Sequence, residues 1–380
     1  MDLEALRKEI DAVDNQIIEL FAKRMDIAAG VAAYKKEVGK AVYDPARERK
    51  KLADVVSKSR DDMKQYTAFL FGQLFEVSRL HQSRLLNGDT ELWDSIADAI
   101  ENTGKVFPSN SVVACQGIEG ANSQAACEKI FQNPRIVFFD TFESVFSAIE
   151  AGMCDYGVIP IENSTAGSVK QVYDLMVKHE FKIIRSARVK IDHNLMALPG
   201  VKLSEIKEVI SHPQALSQCA KYLEKQGITA TPCENTAVSA RIVSESNRRD
   251  LAAISSDYCS SLYNLDVLDS AIQDYGNNYT RFICISKNLE IYPGADKHSI
   301  MLTTPHRPGS LYSILGKFYG LGINLLKLES RPIPDKDFEF MFYFDLKASV
   351  YSDEFKQLII ELQQVSEDFR YLGSYTEVIE

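Results

Sequence analysis

Between Leu3 and Tyr34 the chain places seam residues at alternating steps of three and four: Leu3, Leu6, Ile10, Val13, Ile17, Leu20, Arg24, Ile27, Val31 and Tyr34. Only an α-helix gathers residues so spaced onto one face, and the alternation is that of a coiled-coil seam. The chain must therefore begin with a long helix whose apolar stripe needs a cover. Gly39 interrupts the pattern, and Asp44-Pro45 then offers an N-cap followed by proline at the first helical position, where its missing N–H is not needed. A third helix is expected from about Asp61 to Leu86, stopping at Asn87-Gly88. Residues 1–90 read as an all-helical domain with no strand candidate.

Past an expected linker at 91–109, which holds the only tryptophan, Trp93, the texture changes. Short apolar runs at 112–115, 136–139, 156–159 and 251–254 alternate with helical patterns at 123–131 and 141–151, which is α/β texture over 110–288. It changes again near 297, where strand 298–304, helix 309–320, strands 323–331 and 338–347, helix 352–365 and strand 369–376 give the order βαββαβ, the ferredoxin-like split unit. At 380 residues with 45% apolar and 25% charged residues, several folded units are expected and extensive disorder is not.

A formal charge of -10 argues against a general nucleic-acid binder, which needs a basic footprint. No apolar run is long enough to span a bilayer, and the first residues lack the basic start and apolar stretch of a signal peptide, so a cytoplasmic address is expected. The seven cysteines are scattered without a CxxC pair and the six histidines form no HExxH, so neither a disulfide framework nor a metal site is expected.

A guanidinium on a helical seam needs an anionic partner, so Arg24 calls for a carboxylate from the chain or from a ligand. Lys35 lies on the same face about 16 Å further along, within reach of the far side of a small dianion. Arg7 sits about 25 Å before Arg24 and is rotated from it by about 100°, so one helix cannot aim both at one small ligand. If Arg7 serves that site, it comes from a second copy of the chain.

With these residues in place, the helical segment resembles the all-helical class of chorismate mutase found fused to prephenate dehydratase in bacteria. The resemblance implies a site made of Arg7, Arg24 and Lys35 from the first helix, Asp44, Arg47 and Glu48 from the start of the second, and Ser78 and Gln82 from the third. It implies a pericyclic rearrangement of chorismate, for which shape and charge suffice without a cofactor. Lys35 and Gln82 would donate to the ether oxygen, the arginines would hold the carboxylates, and Glu48 and Asp44 would receive the hydroxyl.

Residues 110–287 resemble prephenate dehydratase through five motifs in series. These are Gly117-Ile118-Glu119-Gly120-Ala121-Asn122-Ser123, Pro160-Ile161-Glu162-Asn163-Ser164-Thr165-Ala166-Gly167, Ser211-His212-Pro213-Gln214 with Gln218, Glu234-Asn235-Thr236, and Asn278-Tyr279-Thr280-Arg281-Phe282. The implied fold has two lobes around a cleft, like periplasmic solute-binding proteins, with 110–187 and the return near 268–287 in one lobe and 188–267 in the other. In that family the Thr of Thr-Arg-Phe is essential, so Thr280 is the expected donor to the departing hydroxyl, with His212 or Glu162 as sources of its proton. Asn163, Ser164, Thr165, Ser211 and Gln218 would orient the substrate. Arg281 either pairs with a substrate carboxylate or is a structural arginine at the lobe junction. Asn122 stands where an aromatic residue is expected.

Residues 298–380 resemble an ACT domain. Pro308-Gly309-Ser310-Leu311 opens its first helix, whose free N–H groups suit a ligand carboxylate, and Glu329-Ser330-Arg331-Pro332 ends its second strand. The resemblance implies L-phenylalanine as an allosteric effector and a homodimer or homotetramer. A solute-receptor reading of the two-lobed segment would leave Thr280 to Phe282 and the seam arginine unexplained.

Overall fold

The computed structural model describes residues 2–86, 90–306, 308–333, 339–366 and 368–379. Asn87 and Gly88, the expected stop of the third helix, lie outside the described residues. The helical domain is α1 (Leu3–Glu37), α2 (Pro45–Ser57) and α3 (Lys64–Leu86). Asp2 caps α1 by accepting the Glu4 N–H at 3.0 Å, and Asp44 caps α2 by accepting the Arg47 N–H at 3.0 Å, with Pro45 in the first turn as its sequence requires.

The buried line of α1 is not its seam. Ala28 and Ala32, one turn apart, are the residues of α1 that bury, and their small side chains let α3 approach. Ile10, Ile17, Leu20 and Ile27 are 57–67% exposed within one chain. The stripe that demands a cover is left without one by its own chain.

Residues 91–102, expected as linker, form α4 (Glu91–Asn102), capped by Thr90, which accepts the Trp93 N–H at 3.2 Å. Leu92, Trp93, Ile96, Ala99 and Ile100 fall at helical spacing on one face and pack into the C-terminal core, with Trp93 edge-on to Phe355 at 6.3 Å.

The first lobe contains β1 (Val112–Gln116), α5 (Asn122–Ile130), β2 (Arg135–Phe139), α6 (Phe142–Glu150), β3 (Tyr156–Asn163), β4 (Gly167–Ser168), α7 (Lys170–Lys178) and β5 (Lys182–Lys190). The second contains β6 (Asn194–Ala197), β7 (Glu208–Ser211), α8 (Pro213–Gln218), α9 (Ala220–Gln226), β8 (Thr229–Pro232), α10 (Thr236–Glu245), β9 (Leu251–Ser255), α11 (Asp257–Leu262) and β10 (Asp266–Asp269). The chain returns as β11 (Tyr279–Ser286), antiparallel between β3 and β5, while 266–269 stays in the second sheet. Gly120 (φ +91°) lets the first-lobe loop touch α11, since a Cβ there would fall 2.7 Å from Cys259 Sγ.

The last unit is β12 (Lys297–Thr303), α12 (Ser310–Gly320), β13 (Asn324–Pro332), β14 (Phe340–Lys347), α13 (Asp353–Val365), β15 (Phe369–Tyr375) and β16 (Glu377–Val378). Its antiparallel sheet runs β13-β14-β12-β15, the arrangement expected of a βαββαβ unit. One face carries α12 and α13. The other shares a core with the first lobe, where Met301, Met341, Tyr343 and Leu372 pack with Tyr173, Ile183, Ile283 and Ile285. β16 then pairs parallel with β5, making the six-strand path β16-β5-β11-β3-β1-β2, with β4 appended to β3. A side chain at Gly373 would overlap the Ile183 carbonyl, so this seam closes to backbone contact. The C-terminal unit is welded to the first lobe.

Candidate functional sites

Three groups of expected residues meet the structure differently. In the helical domain, Arg24 is half-buried and donates to the Leu74 carbonyl at 2.9 Å, with its guanidinium 5.9 Å from the Phe75 ring. Burial lowers its pKa and the charge of Glu48 works against that. The carboxylate expected against Arg24 is thus replaced by a carbonyl, with Glu48 as the acidic neighbour. Lys35 Nζ donates to the Val42 carbonyl at 2.5 Å, closing the turn after α1.

Ser78 and Gln82 are both buried on α3, and Gln82 Nε2 donates to the Ser78 carbonyl at 3.2 Å, as their i, i+4 spacing provides. Gln82 Oε1 is buried without a hydrogen-bond partner, an acceptor that a ligand donor could satisfy. Asp44 and Arg47 are exposed at the start of α2, and Arg7 is exposed near the far end of α1, away from the others. Arg79 was not among the expected residues, yet its Nη1 holds Glu48 at 2.6 Å and its Nη2 holds Glu76. Burial opposes its charge, and the two carboxylates more than compensate, raising its pKa. The Glu76/Arg79 spacing of i, i+3 was the available signal.

Between the two lobes lies a cavity of about 340 Å³, lined by Gln116, Asn122, Asn163 and Thr280 from the first lobe and by His193, His212, Gln218 and Thr236 from the second. Asn163 sits opposite Thr280 in the β3/β11 ladder. Its Oδ1 accepts the backbone N–H groups of Thr165 (3.0 Å) and Ala166 (2.9 Å) and the Thr165 hydroxyl (2.7 Å), which fixes the amide orientation. Its Nδ2 must then donate, and it reaches Thr280 Oγ1 at 3.0 Å and Asn278 Oδ1 at 2.8 Å. Thr280 accepts from Asn163, so its own hydroxyl hydrogen is left to point elsewhere.

Gln218 Nε2 donates across the cleft to Thr165 Oγ1 at 2.5 Å, and its Oε1 accepts Asn278 Nδ2 at 3.1 Å and His193 Nε2 at 2.7 Å. His193 is therefore the Nε2–H tautomer, and burial lowers its pKa. Neither it nor Asn278 was expected at the site as an individual residue, although Asn278 opens the Thr-Arg-Phe motif. His212 caps α8 by accepting the Gln214 N–H at 3.2 Å, and burial lowers its pKa too, which favours neutral imidazole near neutral pH.

Other expected cleft residues are placed elsewhere. Ser211 is fully buried and donates to the Ile254 carbonyl at 2.7 Å, joining β7 to β9 rather than facing a ligand. Ser164 donates to the Asn277 carbonyl (2.8 Å) and accepts the Tyr279 N–H (2.9 Å), stitching the crossover to the first lobe. Glu162 and Arg281 each adjoin a cleft residue on a strand, and strand neighbours point to opposite faces. They face the C-terminal unit, where Arg281 pairs with Glu162 (Nε to Oε1, 2.7 Å) and Asp345, and Glu162 pairs with Lys327. Burial opposes the charge of Arg281, and Asp345 with its neighbours holds its pKa well above the usual value. Burial likewise opposes the charge of Glu162, and Arg281 and Lys327 bring its pKa below the usual value. An ionised carboxylate on the wrong face is no proton source for Thr280.

In the C-terminal unit, Gly309 (φ +86°) turns the chain into α12, and Ser310 and Leu311 line a cavity of about 390 Å³ with Thr304, His306, Phe340 and Phe342. Ser310 Oγ is buried without a hydrogen-bond partner. Glu329 instead accepts the Ser168 hydroxyl at 2.7 Å, and Arg331 grips both oxygens of Asp174 at 2.9 Å, so these two dock on the first lobe. Ser330 and Pro332 lie on the exposed side of β13. Within one chain the two halves of the expected effector pattern face different ways.

Another cavity, of about 750 Å³, lies between the helical domain and the C-terminal unit and includes Lys35, Glu76, Arg79, Lys317 and Glu361. Among the described residues no three His, Cys, Asp or Glu side chains cluster as metal ligands, and no helix is long and apolar enough to cross a membrane.

Comparison with known proteins agrees with this layout. The family profile described as prephenate dehydratase matches residues 113–290, and that of chorismate mutase type II matches 6–83. A bifunctional chorismate mutase/prephenate dehydratase of Aquifex aeolicus is 29% identical over 381 aligned positions, covering 100% of this chain and 99% of the relative. The arogenate dehydratase/prephenate dehydratase 1 of Arabidopsis thaliana is 38% identical over 280 residues, 69% of this chain and 71% of that protein. The crystal structure of a prephenate dehydratase from Arthrobacter aurescens in complex with L-Phe superposes with a TM-score of 0.65 at 30% identity, covering 70% of this chain and 89% of that one.

Proposed function

The chain belongs to the prephenate dehydratase family, in the bifunctional form with a type II chorismate mutase domain ahead of the dehydratase, and on that premise we propose how its residues divide the two reactions. It rearranges chorismate to prephenate and dehydrates prephenate, within aromatic amino acid biosynthesis. The observation that carries the dehydratase assignment is the bond polarity at Thr280: Asn163 donates to its Oγ1, and the hydroxyl hydrogen is free to go to a substrate. Thr280 donates to the ring hydroxyl of prephenate as the C–O bond breaks. The hydroxyl leaves as water, the carboxylate leaves as carbon dioxide, and the electron pair of the breaking C–C bond completes the aromatic ring. The proton passes from Thr280 and is replaced from solvent when the cleft opens, since neutral His212 has no acidic proton to give. Gln218, held to Thr165, keeps the lobes closed and water out.

In the mutase, Arg24 and Arg47 with Arg7 of a second copy hold the two carboxylates of chorismate in the compact conformer. Lys35 and Gln82 donate to the ether oxygen as negative charge grows there, Glu48 and Asp44 receive the hydroxyl, and Ser78 packs beneath. The exposed α1 seam supports a homodimer in which a second α1 covers it.

L-Phenylalanine binds at Gly309 to Leu311 and lowers dehydratase activity, a reading supported by the L-Phe complex of the Arthrobacter relative. An inhibitor must bind a low-activity arrangement more tightly than the active one, by about 1–3 kcal/mol in typical cases. Supplying chorismate to the pure full chain should yield prephenate and then phenylpyruvate. Accumulation of prephenate without phenylpyruvate would remove the dehydratase assignment. Adding phenylalanine should give inhibition that excess prephenate does not fully reverse and that Leu311→Arg relieves. Purely competitive inhibition unaffected by Leu311→Arg would put the effector in the cleft.

A further inference from the structure

Five charges alternate in sign from the core of the C-terminal unit to the mutase domain. Glu361, 1% exposed on α13, pairs with Lys317 of α12 at 3.2 Å, and Lys317, 4% exposed, reaches Glu76 of α3 at 3.4 Å. Glu76 pairs with Arg79, and Arg79 holds Glu48 at 2.6 Å. Ser313 Oγ donates to the same Glu76 at 3.3 Å, and Gln73 donates to Tyr312 at 2.8 Å, so α12 is seated on α3 by polar contacts. The Arg79 guanidinium also lies 5.2 Å from the ring of Tyr43, next to the cap of α2.

A buried Lys–Glu pair is weak as a stabilising device, because an apolar pair of similar volume often does as well. Lys317 and Glu361 hold one, and its free side meets Glu76. Arg79 stands between two carboxylates, and how firmly it holds Glu48 depends on how much of Glu76 is neutralised by Lys317. Without Lys317, Glu76 draws the guanidinium to itself and Glu48 loses its clamp.

We propose that Arg79 is a positioning residue for Glu48 in the mutase reaction and that Lys317 of the C-terminal unit holds it there, so the mutase site is completed by a domain more than 200 residues away in sequence. The proposal rests on Glu48 belonging to the mutase site. A planar guanidinium bridges both carboxylates in a way that a lysine ammonium does not.

Both turnovers are measured on the same preparations of the full chain. Lys317→Met and Arg79→Lys should each lower mutase kcat/KM by about tenfold, the scale of a hydrogen bond to a charged group, with dehydratase turnover within about twofold of the parent. In a Glu48→Gln background, Lys317→Met should change mutase by less than about twofold, since there is no longer a carboxylate to position. A purely structural role for Lys317 would give the same loss with and without Glu48, and that result overturns the proposal. Wild-type mutase activity in Lys317→Met, with Glu48→Gln impaired, overturns the relay alone. Wild-type activity in Glu48→Gln overturns the relay together with the assignment of Glu48. If Lys317→Met loses both activities, the Lys317→Met/Glu361→Gln variant, which leaves no lone buried charge between the helices, decides by the same two readings.

Discussion

The dehydratase cleft and the helical domain differ in how far one chain completes its own site. In the cleft, Asn163, Thr165, Gln218, Asn278 and Thr280 bond to one another in one connected set that leaves the Thr280 hydroxyl hydrogen for a ligand. In the helical domain, Gln82 Oε1 has no partner, Arg24 rests on a carbonyl, Arg7 is remote and the apolar seam is exposed. A site built from strand ends and a helix end of two lobes of one chain is pre-organised by that chain's own packing. A site strung along a helix is shaped by whatever lies across it.

Four measurements would break or sharpen this contrast. The largest effect is expected at Thr280: Thr280→Ala should lower dehydratase kcat by about a thousandfold, the middle of the range for removing a proton donor, and leave mutase turnover as it was. Retention of more than about a tenth of kcat would take Thr280 out of the role. Next, Arg24→Ala should lower mutase kcat/KM by about a hundredfold while prephenate is still dehydrated, and comparable loss of both activities in a folded variant would contradict two separate sites. Third, mixing the inactive Arg7→Ala and Arg24→Ala chains should restore about a quarter of mutase activity, because half of randomly mixed dimers carry one intact site of two. Subunit exchange shown by mass with no recovery would rule out a shared site.

The smallest effect concerns the unit welded to the cleft. His298 is buried, stacked 3.7 Å from Phe355, with its Nε2 donating to the Ala348 carbonyl at 2.9 Å, and burial pushes its pKa from 6.5 down to about 4. Between those values the unfolded chain binds a proton that the folded chain refuses, so stability should fall as pH drops from about 6.5 to about 4 and be unaffected by this group above that window. His298→Gln should flatten the melting temperature over that range. An unchanged slope would assign the acid sensitivity to other groups.

Much of this architecture was legible in the sequence. The 3-4 alternation required α1, the proline after Asp44 set the start of α2, and the βαββαβ order of the C-terminal unit followed from strand and helix periods. The five dehydratase motifs named Asn163, Thr165, Gln218 and Thr280, which the cleft does gather. Two misreadings had signals available. Leu92, Trp93 and Ile96 already had helical spacing within the supposed linker, and strand alternation bars Glu162 and Arg281 from the face that takes Asn163 and Thr280.

What the sequence determined by itself was local: periods, caps and the order of elements, because these depend on residues a few positions apart. Only the tertiary structure decided that Arg281 faces Asp345, that Glu329 and Arg331 dock on the first lobe, that α1 buries Ala28 and Ala32 instead of its seam, and that Lys317 meets Glu76. Each of these depends on which surfaces of separately formed elements come together. Buried charge shows the reason plainly: a lysine or arginine inside a protein must find its counter-charge wherever packing supplies it, and no spacing along the chain says where that will be.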